Sequence, residues 1–167
     1  MTKRKQAGFT LIELLVVIGI LAVLMAIVLV AINPSRQFRQ SNRTRRTADI
    51  NAILNAITQY GADQKGSFAG ITYTPGTAFP LAGDTDGGGS TTCTAIVPVY
   101  IASLPADPTL ATIPTAGMPV DSPTCVAEDW DTGYTVTIAS TGRVTVSSLL
   151  SPTVDDAGVT EVLSVTR

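Results

Sequence analysis

Histidine is absent from the sequence, and cysteine, aromatic and charged residues are scarce. Of the 167 residues, two are cysteine, 5% are aromatic and 14% are charged. The absence of histidine excludes a histidine-based catalytic triad and a histidine-ligated zinc site. Low charge combined with 45% hydrophobic residues excludes an intrinsically disordered chain. A collagen-like or coiled-coil array is excluded as well, because the sequence has neither a Gly-X-Y period nor a sustained heptad.

The net charge of −2 conceals two oppositely charged parts. Residues 1–46 hold eight basic residues and one acidic residue, a charge of +7, whereas residues 47–167 hold three basic and twelve acidic residues, a charge of −9. Copies of such a chain attract one another head to tail and repel in register. The basic part is also suited to nucleic acid or anionic lipid, and composition alone leaves these alternatives open.

A long apolar run occupies much of the N-terminal part. Residues 14–32 are 19 consecutive residues without a charged side chain. As a helix this run is about 28 Å long, which matches the hydrocarbon core of a bilayer. A cleaved secretory signal has a shorter apolar region followed by a small-residue cleavage site, and residues 31–34 (AINP) offer no convincing site of that kind. The run therefore predicts a retained transmembrane helix.

One acidic residue, Glu13, stands at the start of the apolar stretch, directly after Leu11 and Ile12. Inserting a charged residue into a bilayer costs about 2.5–3.5 kcal/mol on the translocon scale, and acids within membranes are usually paired and functional. The side chain alone leaves two explanations open. The carboxylate either reaches the lipid headgroups at the end of the helix, or it meets a positive charge within an assembly.

The residues before Glu13 resemble the processing site of type IV prepilins. Residues 3–5 are basic, the leader ends at Gly8, Phe9 follows, and the acid lies four positions after Phe9. That family includes pilus pilins, pseudopilins of type II secretion and competence pilins, and the motif does not separate them. The resemblance implies cleavage between Gly8 and Phe9 by a membrane prepilin peptidase and methylation of the new Phe9 amine. It also implies that this amine pairs with Glu13 of a neighbouring copy.

Five arginines follow the apolar run, on the flank opposite the basic leader: Arg36, Arg39, Arg43, Arg45 and Arg46. Because both flanks are basic, the positive-inside rule does not by itself fix the orientation of the helix. The cluster forms a solvated helix face, or it meets acidic surfaces of neighbouring copies. DNA binding is a further alternative, for which only Phe38 offers a stacking surface among the arginines.

An α+β fold is predicted, with a long N-terminal helix, transmembrane in its first half, packed on a small antiparallel sheet as in pilins. Its segments are a leader at 1–8, a transmembrane and filament-core helix at 9–33, an amphipathic continuation at 34–66 and a β-rich exported domain at 67–167. In the continuation, Ile50, Ile53, Leu54 and Ile57 share one helix face. The sequence Lys65-Gly66-Ser67 is predicted to end the helix.

Alternating apolar and hydroxyl residues predict strands at 71–74, 95–101, 134–139, 143–148 and 159–165. The third and fourth strands are joined by Ser140-Thr141-Gly142 and form a predicted hairpin. Residues 101–108 and this hairpin resemble the globular part of pilins and major pseudopilins. The sequence departs from major pseudopilins at Thr109, where those proteins often have tryptophan.

The two cysteines, Cys93 and Cys125, both fall in the predicted exported domain. An oxidising compartment favours a disulfide between them, and two free buried thiols are the alternative. A bridge would close a ring of 33 residues. In the chain-entropy model such a ring stabilises the fold by about 3–4 kcal/mol.

Two acidic loops are candidate calcium sites. Asp84 and Asp86 lie in a glycine-rich loop with the Asp-x-Asp-Gly start of a calcium loop, and Asp129 and Asp131 lie on either side of the tryptophan. Calcium prefers such oxygen ligands, but the glutamate that completes an EF-hand is missing, and exposed aspartates more often form turns. No cofactor is therefore expected, with calcium as the one candidate ion.

The predicted function is that of a structural subunit, without catalysis, in a type IV pilus-like filament assembled through the hydrophobic helix after prepilin cleavage. A type II secretion pseudopilin or a competence pilin is the alternative within the family, and a membrane-anchored extracytoplasmic binding module is the alternative from another class. Expected partners are further copies in a helical filament, the prepilin peptidase, inner-membrane assembly machinery and membrane lipid, with nucleic acid only for a competence pilin. The chain is expected in the inner membrane as a single-pass protein, and then in a cell-surface or periplasmic filament.

Overall fold

The computed structural model describes residues 8–32, 34–83, 88–110, 125, 130–148, 153–154, 160–161 and 163–167. The chain forms two compact units, Met1–Phe38 and Arg39–Arg167. The helices in the described part are α1 (Leu11–Ile32), α2 (Pro34–Asp63) and α3 (Gly88–Ile96). The strands are β1 (Ala78–Ala82), β2 (Asp131–Ile138), β3 (Val144–Ser148), β4 (Thr153–Val154), β5 (Thr160–Glu161) and β6 (Ser164–Thr166). The predicted division into four functional segments stays a prediction.

Helix α2 follows α1 after Asn33 and begins at Pro34, a residue suited to the first helical position because its missing N–H has no intrahelical partner there. It ends at Asp63, and the two residues that close it, Lys65 and Gly66, have positive φ angles of 58° and 85°. The amide of Gly66 donates to the carbonyl of Gly61 at 2.8 Å. This closure is typical of a helix C-terminus and agrees with the predicted end.

The core of the second unit forms where α2 meets the sheet. Ile50, Ile53, Leu54 and Ile57 are fully buried, as their spacing of three and four residues predicts. They cluster with buried residues of β2 and β3, including Tyr134, Val136, Ile138, Val144 and Val146. An apolar helix face covering one side of a sheet confirms the predicted α+β class.

In the described residues the main sheet is antiparallel, with the strand order β1-β2-β3-β6, and a separate pair is formed by β4 and β5. The predicted hairpin is present as β2 and β3, in a register that sets Val136 opposite Val146 and Ile138 opposite Val144. Its turn closes at Gly142, whose φ of 79° favours glycine. Apolar residues on this face therefore stack towards α2.

Two of the predicted strands are wrong. Residues 71–74 are irregular, and the strand lies further along at β1. Pro80 made β1 hard to recognise, although proline is tolerated because β1 is an edge strand that pairs with β2. Residues 95–101 are not a strand either, since helix α3 runs through Ile96 and is followed by a turn.

The short helix α3 escaped prediction because its residues are mostly threonine and small side chains. Cys93 and Ile96, three residues apart, form its buried face. The hydroxyls of Thr92 and Thr94 donate to the carbonyls of Gly88 and Ser90, four residues earlier. These local hydrogen bonds and the packing of two apolar residues outweigh the strand preference of threonine.

The last predicted strand, 159–165, is correct in part. Among the described residues of that segment, Thr160–Glu161 form β5, which pairs with β4. Ser164–Thr166 form β6, which pairs with β3 and adds an edge to the main sheet.

Candidate functional site

The candidate site begins at the first turn of α1, which is closed by a reciprocal pair of side chains. The Thr10 amide and hydroxyl donate to Oε2 of Glu13 at 3.2 and 2.9 Å, and the Glu13 amide donates to the Thr10 hydroxyl at 3.3 Å. This is a capping box, which satisfies N–H groups that have no partner within the helix. Glu13 thus has a local role in the single chain. Thr10 was missed, although the Thr-x-x-Glu spacing before an apolar run signals such a cap.

Gly8 and Phe9 directly precede this cap and are exposed. Phe9 has 87% of its surface exposed, and apart from the chain neighbours no atom of the described residues lies within 4 Å of the position that a Gly8 Cβ would occupy. Among the described residues, none covers the peptide bond that is predicted to be cleaved. Cleavage, methylation of Phe9 and pairing of Glu13 with a neighbouring amine stay predictions. Residues 1–7 of the leader lie outside the described residues.

The helix behind this cap has no buried face in the part of the chain that the structure describes. Its large apolar side chains from Leu11 to Leu29 expose between 51% and 81% of their surface. The same residues have a mean hydropathy of 3.1 and are long enough to cross a bilayer. A helix that is apolar all round requires lipid or other apolar helices around it. The helix therefore has the length and surface of a membrane span.

The second unit holds a buried ion pair on the α2 face that carries Ile50. Arg46, 4% exposed, donates from Nε and Nη2 to Oδ2 and Oδ1 of the fully buried Asp107, at 2.6 and 3.0 Å. Arg46 also donates to the Thr109 hydroxyl at 2.7 Å, and that hydroxyl donates to Oδ1 of Asp107 at 2.7 Å. The Ser148 hydroxyl at the end of β3 lies 3.4 Å from Oδ2. The cluster thus ties α2 to the segment before residue 110 and to the sheet.

Opposing effects set the pKa of Asp107. Burial raises its pKa, but hydrogen bonds from Arg46 and Thr109 outweigh burial and hold the pKa below its ordinary value. The carboxylate therefore stays charged at neutral pH. The arginine cluster was predicted to form a solvated face or to meet acidic surfaces of neighbouring copies. Both alternatives are wrong for Arg46, because it is buried and paired with Asp107 of its own chain. The missed signal was its position four residues before Ile50, on the buried face.

A second polar contact lies one turn further along α2. The Tyr134 hydroxyl, on β2, donates to Oδ2 of Asp49 at 3.0 Å. Burial raises the pKa of Asp49 although the hydrogen bond from Tyr134 lowers it, and burial together with the Asp49 charge raises the pKa of Tyr134. Together with the Arg46–Asp107 ion pair, this contact fixes α2 against the sheet at two successive turns.

The two cysteines form a disulfide that joins Cys93 in α3 to Cys125. The Cα–Cα distance is 5.5 Å, and neither residue has exposed surface.

Replacing both cysteines by serine is expected to lower the free energy of unfolding by about 2–4 kcal/mol, because the unfolded chain regains the freedom of the closed loop. Chemical denaturation of residues 39–167 under non-reducing conditions measures this loss. An unchanged midpoint would contradict the prediction, and the Ser90→Ala variant of the same helix is the control.

Of the candidate calcium ligands, only Asp131 is among the described residues. Its Oδ1 accepts a hydrogen bond from the Gly133 amide at 2.8 Å, as in a turn that starts a strand. Asp84, Asp86 and Asp129 lie outside the described residues. Within the described part of the chain, no group of three potential metal ligands comes together. Calcium binding at either loop stays a prediction.

A basic leader, a capped acid and a fully apolar helix together define a membrane-anchored precursor with a prepilin-type N-terminus. Residues 3–29 match the family model described as the prokaryotic N-terminal methylation motif. The chain is also similar to the type II secretion system core protein G of Aeromonas hydrophila, with 36% identity over 63 residues. That alignment covers 38% of this chain and 43% of the relative, so the chain spans less than half of the relative's length. No solved structure matches the chain.

Proposed function

We propose that the chain is a structural subunit, without catalysis of its own, of a type IV pilus-like filament. The observation that carries this proposal is the methylation motif on a helix whose apolar side chains are exposed all round. Such a helix is stable in lipid, and its apolar side chains can also pack against identical helices in a bundle that replaces the lipid. The similarity to a type II secretion core protein supports the same architecture.

Leader removal is the step that makes transfer from lipid to filament feasible. The leader holds three basic residues at positions 3–5, which keep the N-terminus on the cytoplasmic side. Cleavage after Gly8 by the prepilin peptidase removes all three, and methylation of the Phe9 amine follows. The remaining charges of this end are that amine and Glu13, which neutralise each other between neighbouring copies in the filament core.

The second unit is proposed to form the filament surface on the exported side. Its core, its buried ion pair and its disulfide all lie within Arg39–Arg167. The precursor is a single-pass inner-membrane protein in this account, and the assembled form is a cell-surface or periplasmic filament. Inner-membrane assembly machinery is the expected partner during the transfer.

A pseudopilin of type II secretion is the second candidate function, favoured by the relative from Aeromonas hydrophila. A pseudopilin and a pilus subunit share the assembly step and differ in the length of the filament and in the process that needs it. Nucleic acid is an expected ligand only for a competence pilin. A membrane-anchored binding module is the alternative outside this family, and it would keep its leader.

A strain deleted for this gene and complemented with the wild-type chain tests the proposal. Filaments sheared from the surface should contain the chain in the complemented strain and disappear in the deletion strain. Loss of protein secretion without loss of surface filaments would assign the chain to the pseudopilins. A chain found only in the membrane fraction, with both phenotypes absent, would contradict a filament role.

A further inference from the structure

Asp49 is a partly buried acidic residue in the contact between α2 and the main sheet. Its Oδ2 accepts a hydrogen bond from the hydroxyl of Tyr134 at 3.0 Å, and Tyr134 has no exposed surface. Because Tyr134 is an uncharged donor, it compensates the carboxylate only in part for the water that burial removes. The geometry therefore favours the protonated form of Asp49 in the folded protein.

The charged and titratable groups around Asp49 come from three elements. On α2, Arg45 attracts the carboxylate but is exposed, and Arg46 is bound to Asp107 at 2.6 Å. Tyr134 faces Asp49 from β2, and the charge of Asp107, in the segment before residue 110, repels it. Burial is the largest effect. Together with the repulsion, it outweighs the attraction and the hydrogen bond, so the pKa of Asp49 is raised above its ordinary value.

Asp107, which α2 contacts through Arg46, responds to pH in the opposite direction. Arg46 and Thr109 each donate two hydrogen bonds to its carboxylate and hold its pKa below the ordinary value of about 3.9. The contribution of ionised Asp107 to stability is complete above this pH and is lost as the pH falls. The contribution of protonated Asp49 is complete below this pH and is lost as the pH rises through its higher folded pKa. The two pH ranges therefore adjoin at about pH 4.

We propose that Asp49 is a proton-binding site that fastens α2 to the sheet most firmly in a mildly acidic medium. At neutral pH the folded second unit keeps a negative charge where water cannot fully hydrate it. Uptake of one proton removes that charge and leaves the hydrogen bond from Tyr134 in place. Further acidification weakens the Arg46–Asp107 ion pair on the preceding turn of α2. The inference concerns the folded second unit and does not require filament assembly, so either proposal can fail without the other.

Denaturation of the full chain in detergent micelles, followed by tryptophan fluorescence, tests this proposal. Trp130 is the one tryptophan of the sequence and is buried in the second unit, so its emission reports the unfolding of that unit. Asparagine is a neutral match in size for the protonated side chain, and its oxygen can still accept the hydrogen bond from Tyr134. Asp49→Asn is therefore expected to unfold at a higher denaturant concentration than wild type at pH 7. The two midpoints should converge as the pH falls to about 4.

The matched control is Asp63→Asn. Asp63 also lies on α2 and accepts a hydrogen bond from a tyrosine, Tyr100, at 2.8 Å, but it is exposed. The control is expected to leave the pH dependence of the midpoint unchanged. An Asp49→Asn midpoint at or below that of wild type at pH 7, or a difference that stays constant down to pH 4, would overturn the proposal.

An NMR titration of the wild-type chain provides a second measurement, which needs no variant. The carboxyl group of Asp49 should titrate above the ordinary aspartate value of about 3.9. A titration midpoint at or below that value would also overturn the proposal.

Discussion

The Glu13→Leu variant should remain in the membrane but should be lost from filaments. Leucine makes α1 more apolar, so insertion should persist or improve. At 4 Å, two opposite charges attract by about 4 kcal/mol at an effective dielectric of 20. That is comparable to the roughly 2.5–3.5 kcal/mol that insertion of the carboxylate costs on the translocon scale. In the proposed filament, a neighbouring Phe9 amine pairs with Glu13 and offsets much of that cost. Loss of the Glu13 carboxylate should therefore reduce filament yield by roughly tenfold or more, because every 1.4 kcal/mol is a factor of ten in an equilibrium constant.

The capping box provides the control that separates docking from helix capping. Glu13 accepts two hydrogen bonds from Thr10 within one chain, so Glu13→Leu removes a cap as well as a charge. Thr10→Val removes the hydroxyl of the cap and keeps the carboxylate, at a cost of about 0.5–2 kcal/mol of helix stability. The ratio of sheared filament to membrane-bound monomer should fall far less in Thr10→Val. Equal losses in both variants would show that Glu13 acts as a cap, and wild-type filaments in Glu13→Leu would exclude it as the docking charge.

The Arg46→Leu variant is expected to destabilise the second unit by about 3–5 kcal/mol. The change leaves the fully buried Asp107 without its charged partner, and removal of one member of a buried ion pair leaves an uncompensated charge. Chemical denaturation of residues 39–167 measures the loss. Arg46→Leu/Asp107→Leu should recover much of it because no buried charge remains, and Arg45→Leu, at an exposed neighbouring position, is the control. Equal stability of Arg46→Leu and wild type would contradict a structural role for the pair.

The same ion pair predicts a pH dependence with a defined sign. The pKa of Asp107 is lowered in the folded protein, so its contribution to stability is present above its unfolded pKa of about 3.9 and is lost as the pH falls through its lower folded value. The pKa of Asp49 is raised in the folded protein, so the contribution of Asp49 to stability changes in the opposite direction and increases as the pH falls. The stability advantage of wild type over Asp107→Asn should therefore shrink as the pH falls below about 4. A constant advantage down to pH 2 would contradict the assignment.

The prepilin-type motif, the apolar helix and the buried face of α2 were predictable from sequence because each is marked by a local pattern. A basic leader, the Gly8-Phe9 pair and an uncharged run each occupy consecutive residues, and the stripe of Ile50, Ile53 and Ile57 follows helical spacing. The β2–β3 hairpin was equally local, since strict alternation surrounds a short turn ending at Gly142. Such patterns depend on periodicity and turn chemistry within one window.

The buried ion pair, helix α3 and strand β1 could not be predicted from sequence, because they depend on contacts between distant residues. Asp107 lies 61 residues from Arg46, and nothing in either local window selects the pairing. Helix α3 is held by a disulfide across 32 residues and by packing of Ile96, which overrides the strand preference of its threonines. Strand β1 contains Pro80, which local propensity rejects and an edge position permits. Tertiary structure decided each of these cases.

The intact mass of the chain recovered from sheared filaments tests the central claim most directly. The account predicts a chain that begins at Phe9, carries one added methyl group and retains the Cys93–Cys125 disulfide, because only the processed helix can pass from lipid into a bundle of copies. The membrane fraction of a strain without the prepilin peptidase should contain the chain with residues 1–8 still attached. A filament chain that begins at Met1, or one cut near Asn33, would contradict the account.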